Sequence, residues 1–480
     1  MPAEVPSESE IRRRAAEAGQ DGVFRFWDVL SPTNRARLLS ELAEVDFPLL
    51  TRLVRELILT EHRPTVPTDL EPAPFVPLPT TDADRRRRRR MHRLGQEVLA
   101  AGKVAALVVA GGQGTRLGYE GPKGAFPIGP VSERPLFQVF AEGILAARRA
   151  GGASIPWYIM TSRANDQTTR DFFEAHNYFD LARADVKFFT QGMMPAVDFS
   201  GQLILAEKDG LFWSPDGHGG TLKALARSGM LADMRERGIE HVSYFQVDNP
   251  LVPPLDPVFI GYHVDAAGEM SSKMARKRDA SEGLGHFCMS GGRLVVIEYT
   301  DMPRELAAQR DSGGRLRFEA GSIAIHLIAR PFVERLTSDE RFALPFHRAD
   351  KKIPCVGADG RALEPAKPNG AKFETFIFDA LPMAANPLVL EVNRAREFSP
   401  VKNATGRDSP ATARRDMVRL AAEQLQEAGV EVPRDERGDP KFQVEISPLA
   451  AHSIEELKAE VARRDIRHIA QDLCLGPPEE

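Results

Sequence analysis

Apolar positions in the first part of the chain recur at helical spacing. Phe24, Phe26, Trp27, Val29 and Leu30 form one set; Leu38, Leu39, Leu42 and Val45 form another, after the helix-starting pair Ser31-Pro32. Six prolines between Pro64 and Pro79 then predict a linker or an extended wrap. At Lys103 the pattern changes. Residues 104–110, Val-Ala-Ala-Leu-Val-Val-Ala, are apolar without interruption, as a strand buried on both faces requires, and they end abruptly in glycines. Helices are predicted over 136–149, near 165–176 and near 221–237, and strands over 156–160, 186–189 and 242–247. Such alternation implies an α/β domain with a mainly parallel, Rossmann-like sheet. Further strands are expected at 294–299, 322–328 and 373–379, and a helix from Pro410 to Glu427.

Length and composition narrow the class. At roughly 150 residues per domain, the chain of 480 residues predicts about three domains, or one large domain with extensions. The expected division is a helical region and linker over 1–100, a central α/β domain over 101–403 and a small C-terminal domain over 404–480. A hydrophobic fraction of 42% with 27% charged residues excludes wholesale disorder. No apolar run approaches the ~18 residues of a membrane span, and no apolar leader follows the N-terminus, so neither a membrane nor a secreted protein is expected. Three scattered cysteines, Cys288, Cys355 and Cys474, exclude a disulfide framework and point to the cytoplasm. The net charge of −5 does not call for nucleic acid. Arg85 to Arg90 form a run of like charge, read as a solvated face because no aromatics interleave with it. Only 14 lysines stand against 49 arginines, so a lysine in a Gly/Pro loop attracts notice.

One such loop follows the first strand: Gly111-Gly112-Gln113-Gly114-Thr115-Arg116-Leu117-Gly118, then Gly121-Pro122-Lys123-Gly124. Backbone N–H groups at the end of a parallel strand suit phosphate oxygens. A dinucleotide fingerprint would need glycine or alanine where Leu117 stands, and a Walker loop would need Gly-Lys-Ser/Thr, so both are rejected. What remains is a glycine loop carrying its own Arg116 and Lys123, able to neutralise a polyphosphate. Asp248 ends another predicted strand, where α/β folds commonly place a carboxylate for Mg²⁺.

The loop LVVAGGQGTRLGYEGPKG (107–124) resembles the signature of the UDP-sugar pyrophosphorylases, most closely the eukaryotic-type UDP-N-acetylhexosamine pyrophosphorylases. WYIMTS (157–162), FFTQGMMPA (188–196), SPDGHGG (214–220), VDNPL (247–251), KKIP (351–354), KPNGAKFETFIFD (367–379) and EFSPVKNATGRDSPATAR (397–414) resemble that family in the same order. The resemblance implies a nucleotidyltransferase domain with a helical N-terminal extension, joining UTP to a sugar 1-phosphate with release of pyrophosphate. It implies Gly111, Gly112 and Gly114 on the nucleotide, Arg116 and Lys123 on the pyrophosphate, Lys402 on the sugar-side phosphate and Asp248 on Mg²⁺. Gln191 and the Gly217 backbone are expected to select uracil, with His218 beside them. Gly285 and Glu298 are expected at the sugar hydroxyls, with Ser322 close by.

Two departures bear on the sugar. His218 stands where the family commonly has asparagine, and Ser322 where the eukaryotic enzymes have another asparagine, near the sugar. Phe376 and Phe378 match aromatics beside an N-acetyl group, but two phenylalanines at alternate positions also describe an ordinary half-buried strand. The expected product is therefore UDP-N-acetylglucosamine. The rival readings are another sugar 1-phosphate, such as glucose or galactose 1-phosphate, or a nucleotide-sugar sensor that kept the fold. Oligomeric state does not follow from the sequence.

Overall fold

The computed structural model describes residues 6–60, 66–339 and 342–477. The chain separates into two compact units made of interleaved stretches. The larger takes residues 66–190, 224–342 and 380–480; the smaller takes residues up to 65, 191–223 and 343–379.

The larger unit is built on a ten-stranded sheet. Val104–Val109, buried along its whole length, lies parallel to His241–Gln246 on one side and to Trp157–Thr161 on the other, with Val186–Thr190 parallel beyond that. The parallel sheet expected from the alternating pattern is therefore present in the four strands around the glycine loop. Past His241–Gln246 the sheet turns antiparallel, through Ala320–Ala329 to Met270–Arg276 and His286–Ser290. Helix Leu136–Gly151 covers the parallel part, burying Phe137, Phe140, Ala141 and Ile144 at helical spacing. Gly152, at φ +74°, ends it with the left-handed residue that such helix ends favour.

The compact units do not follow the linear division at 100 and 403. Helix Asp82–Ala100 belongs with the sheet because it touches helix Pro257–Asp265 backbone to backbone. A Cβ at Gly95 would fall 1.8 Å from the Pro257 carbonyl oxygen, and one at Gly261 would fall 1.9 Å from that of Met91. The arginine run at the start of this helix is mostly exposed, as the solvated-face reading expects, although Arg87 lies over the Tyr262 ring of the packed helix. Of the proline-rich stretch, Pro64 lies outside the described residues; the remainder wraps along the sheet, with Glu71–Pro72 paired to His286–Ser290. Residues after 404 have a small apolar cluster of their own, including Val418, Leu425, Leu457 and Leu475. They join the sheet unit through Glu445, which accepts from the N–H groups of Val131 and Ser132 and from the Ser132 hydroxyl at 2.6–3.0 Å.

The smaller unit combines the N-terminal helices with a three-stranded sheet that includes Phe346–Lys351 and Gly370–Thr375. Leu38, Leu42, Phe47 and Leu50 pack with Val197, Leu205 and Phe373. Two elements differ from expectation. The helix expected over 221–237 is two, Thr221–Arg227 and Met230–Glu236, separated by Gly229 at φ +78°. The strand expected over 373–379 stops at Thr375 and gives way to helical turns over Ile377–Met383.

On strand Met270–Arg276, Lys273 has no exposed side-chain surface. Its Nζ lies 2.7 Å from Asp256 Oδ2 and 2.5 Å from Glu397 Oε2. Asp256 also caps helix Pro257–Asp265 by accepting from the Val258 N–H at 2.9 Å. Burial works against the ammonium, but the two carboxylates outweigh it and hold Lys273 above its ordinary value. Burial also raises both acids and the ammonium lowers them; Asp256 ends below its ordinary value and Glu397 above it. Lys273→Met should lower unfolding stability by about 3–5 kcal/mol, because it strands two buried carboxyl groups. Urea denaturation followed by far-ultraviolet circular dichroism measures this, and an unchanged midpoint would show that the triad carries no weight.

Candidate active site

The site grows from the ends of the two central parallel strands. The Val247 N–H donates to the Val109 carbonyl at 3.1 Å, so Gly111 and Asp248 leave adjacent strands at the same end of the sheet. The glycine loop then folds on itself. The Gly114 N–H donates to Gly121 at 2.9 Å and the Lys123 N–H to Gly112 at 3.1 Å. Gly114 must be glycine, since a Cβ there would lie 2.8 Å from the Tyr119 ring. Asn165, almost fully buried, steadies the loop by donating from Nδ2 to the carbonyls of Ala110 at 2.9 Å and Gly112 at 3.3 Å.

Arg116 is exposed on the turn Thr115–Leu117, and Lys123 is half-buried. The Lys123 ammonium donates to the Val401 carbonyl at 3.3 Å, and the Val401 N–H donates to the Asp248 carbonyl at 2.8 Å. This brings Lys402, the next residue, beside the loop although it is far away in sequence. Burial pushes Lys123 below its ordinary value; Asp248 pulls it up, while Arg116 and Lys402 push it down. The four charged residues expected at the phosphates thus share one electrostatic neighbourhood.

Gly285, Glu298 and Ser322 are also together. The Ser322 N–H donates to the Gly285 carbonyl at 2.8 Å, and a Cβ at Gly285 would lie 3.4 Å from Glu298 Oε1. The loop before Gly285 is tied to the segment before Lys402 by the ion pair of Glu282 with Arg394.

The smaller unit gathers the other five residues. Gln191 is buried, and next to it the Gly192 carbonyl accepts from the Asp216 N–H at 3.0 Å. Asp216 in turn accepts from the Thr375 N–H at 2.7 Å. Gly217, at φ +86°, admits no side chain: a Cβ would sit 2.4 Å from the Thr375 carbonyl oxygen. His218 accepts at Nδ1 from the Ile377 N–H at 3.2 Å. Its ring stacks on Phe376 at 5.4 Å and meets the edge of Phe378 at 5.9 Å. Burial, and then the His347 charge, push His218 down to about 4, so at neutral pH the ring is uncharged and carries its proton on Nε2. Because the strand stops at Thr375, Phe376 and Phe378 do not alternate across a sheet. Both pack on one imidazole, which removes the ordinary-strand reading.

Three contributors escaped sequence reasoning. Asn249 donates from Nδ2 to the Glu397 carbonyl at 2.7 Å and accepts from the Ser399 N–H at 3.0 Å, clamping the segment that leads to Lys402. Its position directly after Asp248 was the available signal. Asn165 and His347 had none: His347 stacks on Phe376 at 4.5 Å and pairs with Asp379 at 2.8 Å, contacts that only the fold creates.

Residues 77–425, more than half of the chain, match the family described as "UDPGP: UTP--glucose-1-phosphate uridylyltransferase". The UDP-N-acetylhexosamine pyrophosphorylase-like protein 1 of Homo sapiens is 39% identical over 489 aligned residues, covering 96% of each chain. The UDP-N-acetylglucosamine pyrophosphorylase of Saccharomyces cerevisiae is 36% identical, covering 88% of this chain and 92% of the yeast one. Among solved structures, the uridine diphosphate N-acetylglucosamine pyrophosphorylase of Trypanosoma brucei, in complex with inhibitor, superposes with a TM-score of 0.81 at 28% identity, covering 96% of each chain. The glycine loop, the sheet that presents it and the match along most of the chain agree, and the protein belongs to the UTP–glucose-1-phosphate uridylyltransferase family of UDP-sugar pyrophosphorylases.

Proposed function

We propose that the protein forms UDP-N-acetylglucosamine and pyrophosphate from UTP and N-acetylglucosamine 1-phosphate. The observation that carries this is the cluster of Arg116, Lys123, Lys402 and Asp248 around one glycine loop. An oxygen of the sugar phosphate attacks the α-phosphorus, the bond to the β-phosphate oxygen breaks, and pyrophosphate leaves with that electron pair. The nucleophile is already an anion, so no general base is needed. The residues supply positioning and charge stabilisation instead. Arg116 and Lys123 take the β- and γ-phosphates, and Lys402 takes the sugar phosphate. A sensor would have no use for cations on both sides of the reacting phosphorus.

Gln191 can present both a donor and an acceptor to the imide edge of uracil. Phe376 and Phe378 resemble aromatics found beside an N-acetyl group, and the relatives named for UDP-N-acetylglucosamine support that sugar over glucose or galactose 1-phosphate. Ser322 keeps the second reading open, because its side chain is shorter than the asparagine expected near the sugar.

Magnesium fits at Asp248. Among the described residues no three His, Cys, Asp or Glu side chains gather to hold a metal, so Asp248 is not part of a ready-made metal cage. Mg²⁺ commonly binds without one, with substrate phosphates completing its shell; when bound it would neutralise charge on the triphosphate. No helix among the described residues is long and apolar enough to cross a membrane, and a cytoplasmic location is proposed.

Pyrophosphate release from UTP, Mg²⁺ and a panel of sugar 1-phosphates tests the reading. N-acetylglucosamine 1-phosphate should be preferred, and Lys123→Ala should lower kcat by roughly 10²–10³-fold, the scale of one lost charge-stabilising donor. Turnover confined to glucose or galactose 1-phosphate would move the sugar assignment; no turnover with any sugar, despite nucleotide binding, would leave a sensor. Chelation with EDTA should abolish turnover and added Mg²⁺ restore it, whereas activity that survives chelation would remove the metal from Asp248. Lys123 must be protonated to hold phosphate, and its pKa lies below the ordinary 10.5. UTP binding to the free protein, measured by calorimetry, should therefore be strong at neutral pH and begin to weaken on the alkaline side before that value.

A further inference from the structure

Behind Gly285 lies a lysine that the proposed chemistry does not use. Lys277 follows strand Met270–Arg276 and is only 6% exposed. Its ammonium donates to the Leu284 carbonyl at 2.9 Å and to His286 Nε2 at 2.7 Å. These are the residues immediately before and after Gly285, so the two bonds bracket it. The other side of the same glycine is fixed by Ser322, whose N–H donates to its carbonyl at 2.8 Å.

The protonation states agree with this geometry. His286 Nδ1 lies 3.2 Å from the Phe318 carbonyl, which can only accept, so Nδ1 carries the proton and Nε2 is left as the acceptor. Burial, and then the neighbouring Lys277 charge, push His286 down to about 4, so the ring is neutral where it meets the ammonium. Lys277 also faces charged and titratable groups from every side. Glu282 and Asp279 come from the loop before Gly285, Glu298 from the segment after Arg293–Ile297, and Cys288 from the strand that carries His286. The backbone at Gly285 has little slack, since a Cβ there would meet Val296 at 2.7 Å.

A buried ammonium is costly unless its partners are well placed, and an apolar side chain would fill the same space without that cost. What the lysine adds is a fixed geometry at Gly285, whose carbonyl holds the Ser322 N–H and whose Cα faces Glu298. We propose that Lys277 is a positioning residue for the sugar end of the site, setting the Gly285 backbone through Leu284 and His286. The inference rests on Gly285 and Glu298 being the contacts to sugar hydroxyls of a sugar-1-phosphate uridylyltransferase.

Burial lowers Lys277 to about 8 against the pull of its acidic neighbours. The ammonium is therefore intact at pH 7 and is lost as pH rises through about 8, while His286 stays neutral across that range. Sugar affinity should fall along the same limb.

The test is steady-state kinetics of the full-length protein with N-acetylglucosamine 1-phosphate and UTP varied separately. At pH 7, Lys277→Met should raise KM for the sugar phosphate about tenfold, the scale of lost hydrogen bonds to a charged group. KM for UTP should be unchanged and kcat largely kept. Lys277→Gln, which retains one donor group, should recover part of the loss. His286→Phe, which removes the acceptor but fills the space, should shift KM in the same direction. In the parent protein KM for the sugar phosphate should rise between pH 7 and pH 9, and in Lys277→Met this rise should vanish. An unchanged KM for the sugar phosphate in Lys277→Met, or an equal loss for UTP, would overturn the proposal. A parent protein that turns over no sugar 1-phosphate would sink the underlying reading instead, a result distinct from an active parent whose variant is unaffected.

Discussion

Lys273 holds together parts of the chain that the site needs side by side. The glycine loop and Asp248 come from neighbouring parallel strands, and their closeness follows from strand pairing alone. Lys402 does not have that advantage: about 150 residues of chain separate it from Asp248, and the loop-closure entropy of such a span must be met by specific contacts. Those contacts converge on Glu397. Its carboxylate is drawn to the buried Lys273 ammonium, which also holds Asp256 at the start of a helix, and its carbonyl is taken by Asn249. With Glu397 fixed on both its side chain and its backbone, Val401 reaches the Asp248 carbonyl and the Lys123 ammonium reaches Val401. Removing one partner from a buried charge cluster leaves the others unpaired, so the position of Lys402 depends on a lysine that touches no substrate.

The same economy of charge governs Lys123. Three cations near one carboxylate repel one another until an anion arrives, and burial adds to the strain on the half-buried one. A cluster charged this way favours a polyanion, which would supply the negative charge that the protein withholds. Among the described residues Asp248 belongs to no cluster of three metal-ligating side chains; a full carboxylate cage would offset the cations that a polyphosphate needs.

Local features of the sequence were legible and non-local ones were not. The apolar run over 104–110, the glycines after it and Asp248 at a strand end each follow from backbone constraints that act over a few residues, and the structure bears out the strands and the loop. Helix Asp82–Ala100 falls in the expected N-terminal region because the buried-strand pattern begins only after Lys103. Gly95 and Gly261, which bring its backbone against another helix, carry no signal unless both are known to face each other. The smaller unit is drawn from three separate stretches, and no period or composition marks chain segments that will meet. Phe376 and Phe378 show the same limit in miniature. Alternation predicted a strand, but Thr375 is held by Asp216 just where the ladder ends, so the two rings turn onto one imidazole.

His218 shows how a departure from the family pattern can leave the site intact. The backbone N–H of Ile377 needs an acceptor, and either an asparagine carbonyl or an unprotonated imidazole nitrogen supplies one. An imidazole also offers a face, and Phe376 covers it. Had the ring kept its ordinary pKa it would carry a proton for part of the physiological range, losing that acceptor and placing a charge among aromatics. Burial prevents this by pushing it down to about 4. The exchange therefore keeps the loop's hydrogen bond and adds a ring beside Phe376 and Phe378. A change in sugar preference would come instead from Ser322, whose side chain is shorter than the asparagine and whose N–H holds the Gly285 carbonyl.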